Sequence, residues 1–168
     1  ETAAASVRDF KLSHRVQRQA HAEVMCRALH GLRKRFEGVR VHLLSTDDLL
    51  CFLDVETAEW ILGDLKGLSL ALDSGVVWSR ADRGGDTWSE WAAAHAKALG
   101  FMLLSDHDGR GDGRLLPGAG RGDFSVLRDV PASDAPVAVR CDPRASSDDV
   151  LASIEETARR LGKTGDAR

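Results

Sequence analysis

The chain has 168 residues, of which 43% are hydrophobic and 29% charged, and its formal net charge is −3. Those proportions suit one domain, or two small ones, with a real hydrophobic core, and they exclude disordered and fibrous classes. The longest apolar runs, such as Phe101 to Leu104, fall far short of the roughly 20 residues needed to cross a bilayer, so a soluble, cytoplasmic chain with no membrane contact is expected. Cys26, Cys51 and Cys141 are odd in number and far apart, which fits neither a disulfide framework nor a CxxC zinc site. They read as buried free thiols, and no metal or cofactor is expected.

After an N-terminal arm over residues 1–12, Ser13 is a plausible N-cap for a helix running to Phe36. Val16, Ala20, Val24, Ala28, Leu32 and Phe36 recur every four residues and predict its buried stripe, with Met25 and Leu29 widening it. Residues 8–40 carry nine basic residues against Asp9, Glu23 and Glu37, whereas residues 47–73 carry seven acidic residues against Lys66 alone. Most cations fall off the stripe, which makes the first helix a basic face open to phosphate or to an acidic protein surface.

Val39 to Leu44 has the alternation of a short strand. Ser45 follows as a helix N-cap, with Asp48 near the capping-box position, for a short helix from Thr46 to Leu53. Asp54-Val55-Glu56 makes a turn, and Thr57 to Lys66 forms the next helix, with Ala58, Ile61, Leu62 and Leu65 on one buried face. Gly67 ends it. Leu68, Leu70 and Leu72 then alternate with small residues, Asp73-Ser74-Gly75 reads as a tight turn, and Val76-Val77-Trp78 returns as a strand, so a β-hairpin is expected.

That order, helix-strand-helix-helix-strand-strand, together with Thr46-x-x-Leu-Leu, Leu53-Asp-Val-x-Thr-Ala-x-x-Ile-Leu-x-x-Leu65 and Gly67-Leu, resembles the winged helix-turn-helix superfamily over roughly residues 14–80. The resemblance implies an α+β fold: a winged-helix-like domain over residues 13–80 and an α/β extension over 81–168. It also implies that Thr57 to Lys66 is the recognition helix and that Asp73-Ser74-Gly75 is the tip of the wing.

The surface departs from that pattern. The outward face of the second motif helix holds Glu56, Glu59, Trp60, Gly63, Asp64 and Lys66, an acidic set facing what would be a polyanion. The leading expectation is therefore a non-enzymatic regulatory or assembly module. It binds a protein partner through Glu59, Trp60, Gly63 and Asp64, with Trp60 as an aromatic anchor. The alternative is a transcription regulator that contacts nucleic acid through Arg15, Arg18, Arg33, Lys34 and Arg35. The sequence leaves homo-oligomerisation open.

Beyond a loop at residues 81–85, Thr87-x-x-Glu90 is a capping box opening a helix that places Trp88, Trp91, Ala92, His95 and Leu99 on one face, where His95 reads as a satisfied core histidine. Phe101 to Ser105 is a buried strand. The segment DHDGRGDGRLLPGAGRGDF follows, rich in glycine, aspartate and arginine. Asp106 and Asp108 after an apolar strand raise a third alternative, a metal-dependent phosphoryl- or nucleotidyl-transfer enzyme. Calcium-loop spacing fails at Arg110 and Pro117, a P-loop lacks its Lys-Ser or Lys-Thr, and a surface loop is the simplest reading. Phe124 to Leu127 and Val137 to Arg140 are further predicted strands. A last helix begins near Ser146 or Ser147 and docks through Val150, Leu151, Ile154, Ala158 and Leu161.

Overall fold

The structure, a computed structural model, describes residues 9, 14–45, 53–110, 114–129 and 135–161. Helix α1 spans Arg15–Arg35 and ends on Arg33, Lys34 and Arg35, cations that suit its negative end. Strand β1 spans His42–Leu44, and α2 spans Val55–Asp64. Asp54 caps α2 by accepting the Thr57 N–H at 2.9 Å, and Ala58, Ile61 and Leu65 are buried as their spacing predicts. Gly67, at φ 80°, turns the chain into β2, Ser69–Asp73. The expected short helix from Thr46 falls on residues 46–52, outside the described residues, and Leu53 at its end is not helical.

After β2 the observed structure and the expectation part. Residues Ser74–Asp82 form a helix, α3, capped by the Asp73 side chain, where a turn and a returning strand were predicted. β2 pairs in parallel with β1 and with the later strand β3 (Leu99–Leu104), so the expected hairpin is absent and the winged-helix order is not found. Val76, Val77 and Trp78 have strand-forming side chains, but burial overrides that preference. Val76 and Val77 are 4% and 1% exposed, and Asp73 offers the N-cap that a helix needs.

Helix α4, Trp88–His95, opens on the predicted box: Thr87 Oγ1 accepts the Glu90 N–H at 3.3 Å, and Glu90 accepts the Thr87 N–H at 2.7 Å. His95 is buried with Nε2 2.8 Å from the Val55 carbonyl, the satisfied core histidine that was expected. Phe124–Asp129 is a 3₁₀ helix rather than a strand; Phe124 and Leu127 are buried, which a short helical turn achieves by aiming both inward. Strand β4, Val137–Val139, and helix α5, Ser147–Arg160, are the last elements among the described residues, with Ser146 capping α5 and Asp148 and Asp149 in its first turn.

The molecule is thus a mixture of helix and strand built on one parallel sheet in the order β1-β2-β3-β4. The expected boundary at residues 81–85 falls between β2 and β3, which are hydrogen-bonded neighbours. Register places Leu43, Leu70, Leu72, Met102 and Leu104 on one face, and these share a single core cluster with Ala58, Ile61, Val77, Trp88, Trp91, Phe124 and Leu127. The helical residues of that cluster come from α1, α2, α3, α4 and the turn at Phe124–Asp129. The other face carries His42, Leu44, Ser69, Ala71, Phe101, Leu103 and Ala138, and none of them belongs to that core cluster.

Helix α1 also departs from expectation. Its buried row is Arg18, Ala22 and Cys26, while the predicted row faces solvent: Val16 is 82% exposed, Val24 55%, Leu32 43% and Phe36 48%. Both rows satisfy the same four-residue period. The small side chains of Ala22 and Cys26 let α1 approach α2 closely, and Arg18 finds a buried carboxylate there. Helix α5 repeats the pattern. Ser153 and Thr157 are buried, Val150, Ala158 and Leu161 are half-buried, and Leu151 and Ile154 are exposed although they were expected to dock.

Candidate functional site

In open parallel sheets, ligands meet the carboxyl ends of the strands. Here β2 ends on Asp73, β3 runs into Ser105 and Asp106, and β4 runs into Arg140. Asp73 is fully buried. It accepts a short hydrogen bond from Ser105 Oγ and a charge-assisted one from Arg140 Nη1 at 2.7 Å. Ser74 Oγ donates to the Ser105 carbonyl at 2.5 Å, and the Asp73 N–H reaches Ser45 Oγ at 3.3 Å, which ties β1 into the cluster. The Arg140 side chain, 34% exposed, presents a charged group at this end. Chemically the cluster can orient an anion at Arg140. Among the described residues its serine hydroxyl donates to a carboxylate with no histidine between them, which is not the arrangement of an activated nucleophile. None of these roles was read from the sequence, although Leu-Asp-Ser and Leu-Ser-Asp directly after apolar strands were the available signal.

The loop after β3 is organised around Asp106. Its Oδ1 accepts the His107 and Gly122 N–H groups, both at 2.8 Å, and its Oδ2 accepts those of Gly118 and Gly120 at 3.0 and 2.9 Å. The glycines are required by close approach. A Cβ on Gly120 would stand 2.2 Å from the His107 carbonyl oxygen, and one on Gly122 would stand 2.3 Å from the Trp78 ring. The glycine-rich loop therefore does cradle an anion through backbone N–H groups, and the anion is its own carboxylate. Asp108 lies apart on the surface and accepts the Arg110 N–H at 2.6 Å. Among the described residues no group of three or more His, Cys, Asp or Glu side chains is placed to hold a metal ion.

The expected partner-binding residues divide between two sides of α2. Trp60, half-buried beneath the Arg18 guanidinium at 5.8 Å, and Asp64 line an open groove of about 960 Å³ between α1 and α2. Glu59 and Gly63 line a separate groove of about 560 Å³ against residues 92–98. Cys26 sits in the first groove, where burial and a hydrogen bond with Asp64 push its thiol pKa up, away from the thiolate a nucleophile needs.

The five expected phosphate-binding cations are not one surface. Arg18 is 2% exposed; it donates to Asp54 at 2.5 Å, Thr57 Oγ1 at 3.1 Å and Glu56 at 3.2 Å. Arg33 donates to the Lys66 carbonyl at 2.8 Å beyond the end of α2. Arg15 lies 3.6 Å from Glu56, and Lys34 and Arg35 are exposed, Arg35 over the Phe36 ring.

Compared with known proteins, the chain matches no protein-family profile and no curated sequence. The geometry alone carries the functional reading. Its least ordinary feature is the outward apolar row of α1, with exposed Arg27 one turn from Val24. No helix among the described residues is long and apolar enough to cross a membrane.

Proposed function

We propose that this chain is a non-enzymatic assembly module that binds a protein partner, and that it does so through the outer row of α1 rather than through the acidic Trp60 face. The observation that carries the reading is the exposure of Val16, Val24 and Leu32 along a 21-residue helix and of Phe36 at its C-cap. Large apolar side chains exposed in succession along a helix mark interaction sites, and burying each such side chain contributes about 1–3 kcal/mol. The matching occupant is an amphipathic helix with acidic side chains beside its apolar row, because exposed Arg27 lies one turn from Val24. The alternatives draw less support. Nucleic-acid binding through the first helix loses Arg18 and Arg33 to internal hydrogen bonds, and metal-dependent chemistry loses Asp106, whose lone pairs are already engaged.

A photo-crosslinking residue at Val24, with a second at exposed Lys97 as control, tests the proposal in the cells that make the protein. The expected result is a discrete protein adduct from position 24. Labelling at Val24 no stronger than at Lys97 would overturn it.

A further inference from the structure

We infer that the amino-terminal end of the sheet seats the protein on an anionic lipid surface, with its cations among the headgroups and the turn between α1 and β1 dipping into the interface. The inference goes beyond the docking row along α1 and does not rest on it. It concerns the far end of that helix, and its probe is lipid rather than protein.

Because all four strands run parallel, their first residues lie at one end of the molecule, and the helices preceding β1, β2 and β3 all finish there. The connecting residues 33–41, 64–68 and 96–98 hold Arg33, Lys34, Arg35, Arg40, Lys66 and Lys97 against Glu37 and Asp64, in a chain whose net charge is −3. The register that pairs His42 with Ser69 and Leu70 with Leu99 sets these three entries side by side. Arg33 joins two of them by donating to the Lys66 carbonyl, so it is already engaged and is set aside. The other five cations are exposed, and none has a carboxylate partner among the described residues.

A cation at a helix C-terminus offsets the dipole, which accounts for Lys34 and Arg35 singly. It does not account for Arg40, which lies past the turn, nor for the apolar side chains between them. Phe36 is 48% exposed and Val39 62%, on either side of Gly38, whose φ of 82° turns the chain. An exposed apolar tip bracketed by cations matches the layering of a bilayer, where anionic headgroups lie outside hydrocarbon. A single-stranded nucleic acid would engage the same cations and stack on Phe36, but it leaves aliphatic Val39 without a partner. The expected lack of membrane contact rested on the length of apolar runs, which bears on crossing a bilayer and not on lying against one.

Sedimentation of the full chain with vesicles of phosphatidylcholine, alone or with about 30% phosphatidylserine, reads the partition directly. Binding is expected only with phosphatidylserine, and it should fall as salt is raised. Each cation near the surface is worth about fivefold, so Lys34→Glu with Arg35→Glu should weaken binding by more than about twentyfold. Val39→Ser should weaken it about fivefold, in high salt as in low. Arg144→Glu, past the opposite end of β4, should leave it unchanged. All these side chains are exposed, so the far-UV circular dichroism of each variant should match that of the unaltered chain. No sedimentation with phosphatidylserine at low salt would overturn the inference, as would equal losses from Arg144→Glu and from the Lys34 and Arg35 reversals. Tighter binding to random single-stranded RNA than to the vesicles, indifferent to Val39→Ser, would overturn it in favour of nucleic acid. Any of these failures leaves the crosslink from Val24 untouched.

Discussion

The loop over residues 106–123 and the helix α1 present opposite relations between appearance and use. The loop is crowded with residues that do chemistry, yet its central carboxylate is buried and accepts four backbone hydrogen bonds, so the bonding capacity of Asp106 is spent inside the fold. α1 has the plain four-residue repeat of a core helix, yet that repeat faces water. A functional residue type does not identify a functional surface. What matters is whether the group's bonding capacity is already satisfied at home.

The largest effect that would break this contrast lies in the loop. Asp106→Ala leaves four N–H groups without their acceptor, and a loss of about 3–5 kcal/mol is expected in urea unfolding. A loss below about 1 kcal/mol would show that the carboxylate does not organise the loop. Metal should not enter: Mg²⁺ or Mn²⁺ should leave the melting temperature of the unaltered chain where it was.

A middle-sized effect separates two glycines. Gly122→Ala drives a methyl into the Trp78 ring and should cost about 1–3 kcal/mol by overpacking. Gly63→Ala meets nothing within 4 Å on α2 and should stabilise by about 0.5–1 kcal/mol, since it removes backbone freedom from the unfolded chain. Thermal unfolding of both variants sharpens the comparison, and equal shifts would defeat it.

The smallest effect concerns Cys26. Its pKa is raised above the ordinary 9.0, first by burial and then by Asp64, so folding favours the neutral thiol. The associated stability is fully present below pH 9.0 and is lost as pH rises through the higher folded value. Alkylation followed site by site with mass spectrometry should label half-buried Cys141 ahead of Cys26. Faster labelling at Cys26 would mean that the groove between α1 and α2 opens in solution.

Much of the fold was legible locally. The Thr87 and Glu90 capping box, Ser146 ahead of Asp148 and Asp149, and the Ala58, Ile61 and Leu65 spacing each report on residues within one or two turns, and each placed its element to within about two residues. The errors share one origin. Asp73-Ser74-Gly75 serves equally as a hairpin turn or as the start of a helix, and the choice depended on whether Val76 and Val77 had a sheet and helices to bury against. The candidate site was less legible still. Asp73, Ser105 and Arg140 are brought together across 67 residues of chain, and no spacing rule reaches that far.

By itself the sequence determined the caps of the helices at Asp54, Thr87 and Ser146 and that one charge sign dominates α1 and the other α5, because these follow from neighbours along the chain. Only the tertiary structure decided that the strands run parallel, that Arg18 rather than Val24 turns inward, and that Asp106 is consumed by its own loop. In each case two local patterns were equally good. The contact with a distant segment, Asp54 for Arg18 and Gly118 to Gly122 for Asp106, selected between them.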